Sequence, residues 1–323
     1  MAAKGGLNRR AFLSGVSLGA MGAACSACAE PAPPAVAPPS PNTFSFGEGN
    51  RLRLAVPGLR ETVRVAVAGD THFALVDERD AAYEDGYRRF LKWGAKPPTF
   101  EAFLKKVQDQ KSDVLALVGD ILSCPSFANV EYVSRTLARS GLDWMYVSGN
   151  HDWHFEGVPG SDMEQRAEWI PARLTPLYRG ANPLFHSRVV KGLRLVMIDD
   201  STYEVTEEQL AFWKAEAAKG DPVVLLMHIP LWTEGWGLFT CGNPEWGAAK
   251  DPYWQIEKRQ RWAPRQTPTT FAFREAVLST PNLAAVLTGH IHTFLAAQER
   301  GRLMFSAPCN ISGAYLDVTF VPA

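Results

Sequence analysis

Five short segments, each closing an apolar run, carry side chains of the types that hold metal ions. They are Gly69-Asp70-Thr71-His72, Gly119-Asp120, Gly149-Asn150-His151-Asp152, Met227-His228 and Gly289-His290-Ile291-His292. Carboxylate, imidazole and amide oxygen in one set suit hard-to-borderline ions such as Mn, Fe, Zn, Co or Ni. No cysteine lies in any of the five, which disfavours a structural zinc site.

Each segment alone has an ordinary explanation. Gly-Asp after an apolar run is common at strand-to-turn junctions. His290 and His292 alternate, so in a strand they would share one face and could be edge residues. His228, beside Pro230, could be a satisfied core histidine. What argues for a site is all five together, each placed where a strand should end.

Together the segments resemble the calcineurin-like metallophosphoesterases, whose pattern runs D-x-H, GD, GNH[DE], H and GHxH. The resemblance spans residues 43–323. It implies a four-layer α/β/β/α metallophosphoesterase sandwich and a centre of two metal ions. Asp70, His72 and His292 would hold one ion, Asn150, His228 and His290 the other, and Asp120 would bridge both. Such a bridge suits ions roughly 3.5–4 Å apart clamping an in-line phosphoryl displacement by a metal-bridging hydroxide. His151 would protonate the leaving oxygen or stabilise the transition state. Asp152 would orient a neighbouring imidazole.

Departures from the family pattern narrow the expectation. Ser148 and Asp152 flank the GNH triplet where the serine/threonine protein phosphatases carry arginine and glutamate. Asp120 is followed by Ile121-Leu122-Ser123-Cys124, without their Asp-Arg. Purple acid phosphatases place a tyrosine ligand where Ser123 stands and lack the histidine equivalent to His72. The nearest pattern is the phosphodiesterase-like branch. The expected reaction is hydrolysis of a small-molecule phosphodiester. The alternatives are a nonspecific phosphomonoesterase scavenging phosphate, or a non-catalytic scaffold, which the complete ligand set disfavours.

The elements that must position these residues are legible as alternating strand and helix patterns. Strands are expected at Val63–Ala68, Val114–Val118, Trp144–Val147, Leu193–Ile198, Val223–Met227 and Leu283–Leu287. Helices are expected at Ala81–Trp93, Thr99–Gln110, Asn129–Ser140, Asp162–Leu174, Thr206–Lys219 and Thr269–Ser279, with Thr206 and Gln209 as a capping box. Two hairpins are expected, one through Phe44–Phe46 and Arg51–Val56, the other through Phe185–Val190 and Leu193–Ile198. Ligand segments past strand ends fit the rule that layered α/β folds bind outside the carboxyl ends of their strands. His186 reads as structural, His154 as a loop or substrate residue, and Asp199 and Asp200 as turn acids.

The 323 residues, 46% of them hydrophobic, suffice for one large domain or two. A net charge of −1 argues against an obligate nucleic-acid partner. Residues 1–29, with Asn8-Arg9-Arg10-Ala11-Phe12-Leu13 before a weakly apolar stretch, read as a twin-arginine export signal. Cleavage after Ala29 is favoured over lipidation at Cys25, which would be the membrane link. The expected location is periplasmic or extracellular. Residues 30–42 read as a Pro-rich linker. Of the cysteines, Cys124, Cys241 and Cys309 follow the signal and allow one disulfide at most. Within residues 231–270 lie five of the ten tryptophans: Trp232, Trp236, Trp246, Trp254 and Trp262. This insertion is expected either to cover a ring-bearing substrate or to pack as a loop. Its basic group, Lys258, Arg259, Arg261 and Arg265, reads as solvated surface. Oligomeric state is not readable from these patterns.

Overall fold

The computed structural model describes residues 42–231 and 267–323. The stretch expected to be an export signal and linker, up to residue 41, and positions 232–266 of the expected Trp-rich insertion with its basic group lie outside the described residues. Among the described residues no helix is long and apolar enough to cross a membrane.

Among the described residues, short runs, most of them apolar, form twelve strands in two six-stranded sheets. One sheet contains β1 (Thr43–Phe46), β2 (Arg51–Val56), β3 (Val63–Ala68), β4 (Val114–Val118) and β5 (Trp144–Val147), completed by β12 (Leu316–Pro322). Its order is β1-β2-β12-β3-β4-β5. The other contains β6 (Phe185–Val190), β7 (Leu193–Ile198), β8 (Val223–Leu226), β9 (Leu283–Thr288), β10 (Leu295–Glu299) and β11 (Arg302–Ser306), in the order β10-β11-β9-β8-β7-β6. In each, the strands that lead to the site, β3-β4-β5 and β7-β8-β9, run parallel.

Three buried clusters fill three interfaces, which makes the molecule four layers deep. Between the sheets, Val63, Val65 and Val67 of β3 and Val114, Ala116 and Val118 of β4 meet Leu195, Met197, Val224, Leu226, Leu287 and Phe305. The opposite face of the first sheet turns Ala66, Ala68, Leu115 and Leu117 onto helices. These are α1 (Pro97–Asp109), α2 (Phe127–Ser140) and α3 (Asp162–Trp169). Val196, Ile198, Leu225 and Val286 pack against Trp213 of α4 (Glu207–Ala217) and Phe273 and Val277 of α5 (Pro268–Ser279). Strands buried on both faces read as unbroken apolar runs, which is why they were visible in the sequence. The expected capping box of Thr206 and Gln209 starts α4, and both expected hairpins form.

Two helices differ from expectation. Ala81–Trp93 is not one helix but a 3₁₀ stretch, Glu78–Tyr83, followed by single turns at Glu84–Tyr87 and Phe90–Trp93. Asp80 inside it has non-helical φ and ψ of −113° and 21°. The helix expected at Asp162–Leu174 passes from α3 into a π-turn at Ile170–Leu174, where Pro171 has no N–H to donate. Strands β10, β11 and β12 were not anticipated. In β12 the buried Leu316, Val318 and Phe320 alternate with half-buried Asp317 and Thr319, a period-two signal that could have found it.

Candidate metal centre

The five segments leave the carboxyl ends of β3, β4, β5, β8 and β9 and converge where the two sheets meet. Five of their residues have left-handed backbones: Asp70 (φ 57°), His72 (46°), Asp120 (51°), His290 (69°) and His292 (56°). This conformation is rare for histidine and concentrates at functional sites. His290 and His292 are therefore turn residues beyond β9, not strand-edge residues. Backbone hydrogen bonds lace the loops together, from Asp70 N to Gly119 O (3.0 Å), His72 N to Asp120 O (2.9 Å) and Gly289 N to His228 O (3.0 Å). The motif glycines make room for this. A Cβ on Gly149 would lie 2.2 Å from Asp120 Oδ1, and one on Gly119 (φ 85°) 2.6 Å from both Gly149 N and His228 Nδ1.

Of four donor groups among the described residues, two consist wholly of the expected ligands. Asp70, His72 and His292 place ligand atoms within 4.8 Å of one another, as do Asp120, His228 and His290. His292 Nε2 stands 3.3 Å from Asp70 Oδ1 and 3.1 Å from His72 Nε2. His228 Nε2 lies 3.3 Å from Asp120 Oδ2 and 3.2 Å from His290 Nδ1. Asp120 Oδ2 is also 3.8 Å from His72 Nε2, so this carboxylate faces both groups. His228 Nδ1 donates to Val118 O at 2.8 Å, which turns Nε2 towards the centre.

The donor set fits metal cations. Asp70 Oδ1 and Asn150 Oδ1 are buried without a hydrogen-bond partner, an arrangement that costs free energy unless something cationic satisfies them. Two pairs of imidazole nitrogens face each other at 3.1 and 3.2 Å, where only a shared proton or an ion between them is favourable. The electrostatics agree. Burial drives His72 and His290 well below the usual imidazole range. Burial also opposes a charge on His228, but Asp120 outweighs it and raises the ring to about 10. The cluster thus draws positive charge to its centre.

Around this centre one expectation is corrected, that for Asp152. Asp152 accepts from Leu122 N and Gly149 N, both at 2.7 Å, so both oxygens are spent on backbone amides and not on an imidazole. Asp199 and Asp200 do head the turn after β7, with Tyr203 N donating to Asp200 O at 2.7 Å, and both are fully buried. Asp199 accepts from Ser148 Oγ and Ser201 N, and Asp200 from the amides of His228 and Ile229. Burial pushes the Asp200 carboxyl up to about 7. Ser123 Oγ donates to Phe73 O, away from the donors. His186 sits in the edge strand β6, its Nδ1 3.3 Å from Asn182 O and remote from the centre.

His151 backs onto the metal ligands, its amide donating to Asp120 Oδ1 at 2.8 Å and its ring 5.0 Å from that of His72. It lines a cavity of about 400 Å³ with Asn150, His154, Glu156, Arg89 and Tyr203. His154 is thus a cavity residue, its ring 5.6 Å from His151. Sequence reasoning missed Arg89, Glu156 and Tyr203, which belong to no motif. It also missed Cys309 and Asn310, which brace the turn that carries Asp70, through Cys309 Sγ to Asp70 O and Asn310 N to Gly69 O. A larger cavity, about 880 Å³, opens at the other end of the strands beside Val56, Trp213 and Leu283, and contains none of the donors.

The profile of the calcineurin-like phosphoesterase family matches residues 63–294. Among solved structures the chain is similar to a dimetal phosphatase from Danio rerio, at 13% identity and a TM-score of 0.50. That match covers 80% of this chain and 92% of the other. It is also similar to purple acid phosphatase PPD1 from yellow lupin (Lupinus luteus) seeds, at 16% identity and a TM-score of 0.47, over 84% of this chain and 48% of the other. At these identities the likeness is one of fold. Comparison with curated proteins gives no match.

Proposed function

This chain belongs to the calcineurin-like phosphoesterase family, and we propose that within it the chain cleaves a small-molecule phosphodiester. It is a metal-dependent phosphoester hydrolase that works with two metal ions. In our reading Asp70, His72 and His292 hold one ion, Asn150, His228 and His290 the other, and Asp120 is shared. The observation that carries this is the pair of three-residue donor groups with Asp120 Oδ2 facing both. Bound there, the ions supply activation of water and neutralisation of charge on the phosphoryl oxygens.

The protein's own residues do the rest. Asp120 Oδ1 holds the His151 amide and so fixes the loop that carries the ring. His151 gives a proton from Nε2 to the leaving oxygen. Burial, partly offset by Asp120 and aided by His154 and Arg89, depresses the His151 imidazole to about 3; an anionic ester arriving against Nε2 favours the protonated ring. Asp152 acts through the backbone, tying the β4 and β5 loops together.

A diester suits the cavity better than a monoester. The dianion of a monoester calls for unspent cationic side chains. Among the described residues that line the cavity Arg89 is the one permanent cation, and it is paired with Glu156. A diester carries a single charge, and its second substituent can occupy the roughly 400 Å³ beside His151.

We also place the protein outside the cytoplasm, exported by the twin-arginine route. The pair Arg9-Arg10 ahead of Phe12-Leu13 and the absence of acids before Glu30 support this. Residues 43–323 form the catalytic domain in this reading.

The test is hydrolysis of a matched aryl phosphodiester and phosphomonoester by the Mn-loaded chain, beside an Asp120→Ala control. Diester turnover that disappears in the control is the expected result. Monoester turnover alone would overturn the diester reading, and no turnover of any ester with two metals bound would overturn catalysis. A fusion to a reporter active only after export, with Arg9→Lys and Arg10→Lys as controls, tests the location.

A further inference from the structure

His151 lacks the partner that its proposed role requires. Its Nδ1 is buried and makes no hydrogen bond, and the adjacent Asp152 is committed to two backbone amides. The nearest carboxylate oxygen in an ion-pair position is Glu156 Oε1, 3.9 Å from that Nδ1. The same oxygen receives Arg89 Nη2. No motif marks either residue.

The surrounding structure holds this pair in place. The turn Glu84–Tyr87 rests directly on the Glu156 backbone, because a Cβ on Gly86 would lie 2.3 Å from Glu156 O. Three residues later Arg89 lies over the Phe90 ring at 4.7 Å. Phe90 meets His151 edge-on at 5.2 Å and stacks on His72 at 5.5 Å. The broken helix therefore makes one wall that clamps Glu156 and flanks the His151 ring.

We infer that Glu156 is the positioning residue for His151, facing Nδ1 so that Nε2 is presented to the ester, with Arg89 holding Glu156 in place. A carboxylate on one imidazole nitrogen settles the orientation and tautomer of the ring and so the role of the other nitrogen. The 3.9 Å separation is the open form of a contact that shortens when substrate presses on Nε2, as such contacts commonly do. The inference rests on the reading that His151 serves the leaving oxygen.

The test compares Glu156→Gln and Glu156→Asp in the full, Mn-loaded chain, with a dialkyl phosphodiester, from which an alkoxide must leave, and a bis(4-nitrophenyl) ester. Glu156→Gln should lower kcat for the poor leaving group by about 10- to 100-fold. The loss for nitrophenolate, which needs little protonation, should stay within about threefold. KM should hardly move, Glu156→Asp should recover part of the loss, and Glu156→Gln should add nothing in a His151→Asn background. Equal losses on both esters, or an additive loss in that background, would overturn the inference. An activity-free readout accompanies it. In the Zn-loaded protein the ¹⁵N signals of His151, assigned by their absence in His151→Asn, should shift in Glu156→Gln. Unchanged signals would overturn the inference even if the enzyme is active. Shifted signals in a chain that cleaves no ester would sustain the positioning while removing the functional reading.

Discussion

Asp120 shows how much one side chain carries here. One carboxylate oxygen accepts the His151 amide and the other faces imidazoles from both donor groups. Although burial works against its ionisation, His228 and His151 hold its carboxyl well below the usual range. Asp152, two residues beyond Asn150, is equally buried but does a different job. Its oxygens satisfy two buried amides, and an orphaned buried N–H costs about 1–3 kcal/mol. Asp152→Ala should therefore destabilise the metal-free protein by roughly 2–6 kcal/mol in urea unfolding. Asp152→Asn, which keeps one acceptor oxygen, should lose about half of that. If Asp152→Ala instead left stability intact while abolishing turnover, the residue would belong to the chemistry after all.

At the scale of the element, the loops matter more than the strands that launch them. Gly149 lets the β5 loop sit against Asp120 so closely that a methyl group would overlap its carboxylate. Gly149→Ala should push the two loops apart, so that the purified protein binds fewer than two metals per chain while its far-ultraviolet circular dichroism is unchanged. Two full equivalents in that variant would refute the close-approach argument. Residues of this kind explain what was legible in the sequence. Strands β3, β4, β5, β7, β8 and β9 announce themselves because both faces are buried, and the ligand segments because each follows such a run. Arg89 and Glu156 stayed hidden because nothing local fixes them. Their placement depends on Gly86 meeting a backbone 70 residues further along the chain. Asp152 was misassigned because spacing reports which residues are neighbours in sequence, not which amides their oxygens reach. Strand β10, with its alternation of half-buried and exposed Leu295-Ala296-Ala297-Gln298-Glu299, offers too little apolar surface to be read.

For the molecule as a whole, the centre straddles the seam between the sheets. Asp70, His72, Asp120 and Asn150 come from one sheet, and His228, His290 and His292 from the other, so inter-sheet packing sets the distances between donors. Phe305→Ala, in that seam, and Phe273→Ala, in the outer helical layer, should each cost about 3–5 kcal/mol. Only the seam variant should also weaken metal binding, seen as a smaller fall in Tm on adding chelator. Equal chelator responses in the two variants would mean that the seam does not govern the site. The position of β12 has a different consequence, which concerns the order in which the chain is made. Strand β12, made after the eleven other strands of the described residues, lies between β2 and β3, among the first. Until it arrives, the N-terminal hairpin has no neighbour to join and the first sheet cannot close. His290 and His292 emerge only shortly before it. A chain cut before β12 therefore keeps its ligand segments but loses the strand that joins β2 to β3, whereas one cut before Gly289 loses two of the donors as well.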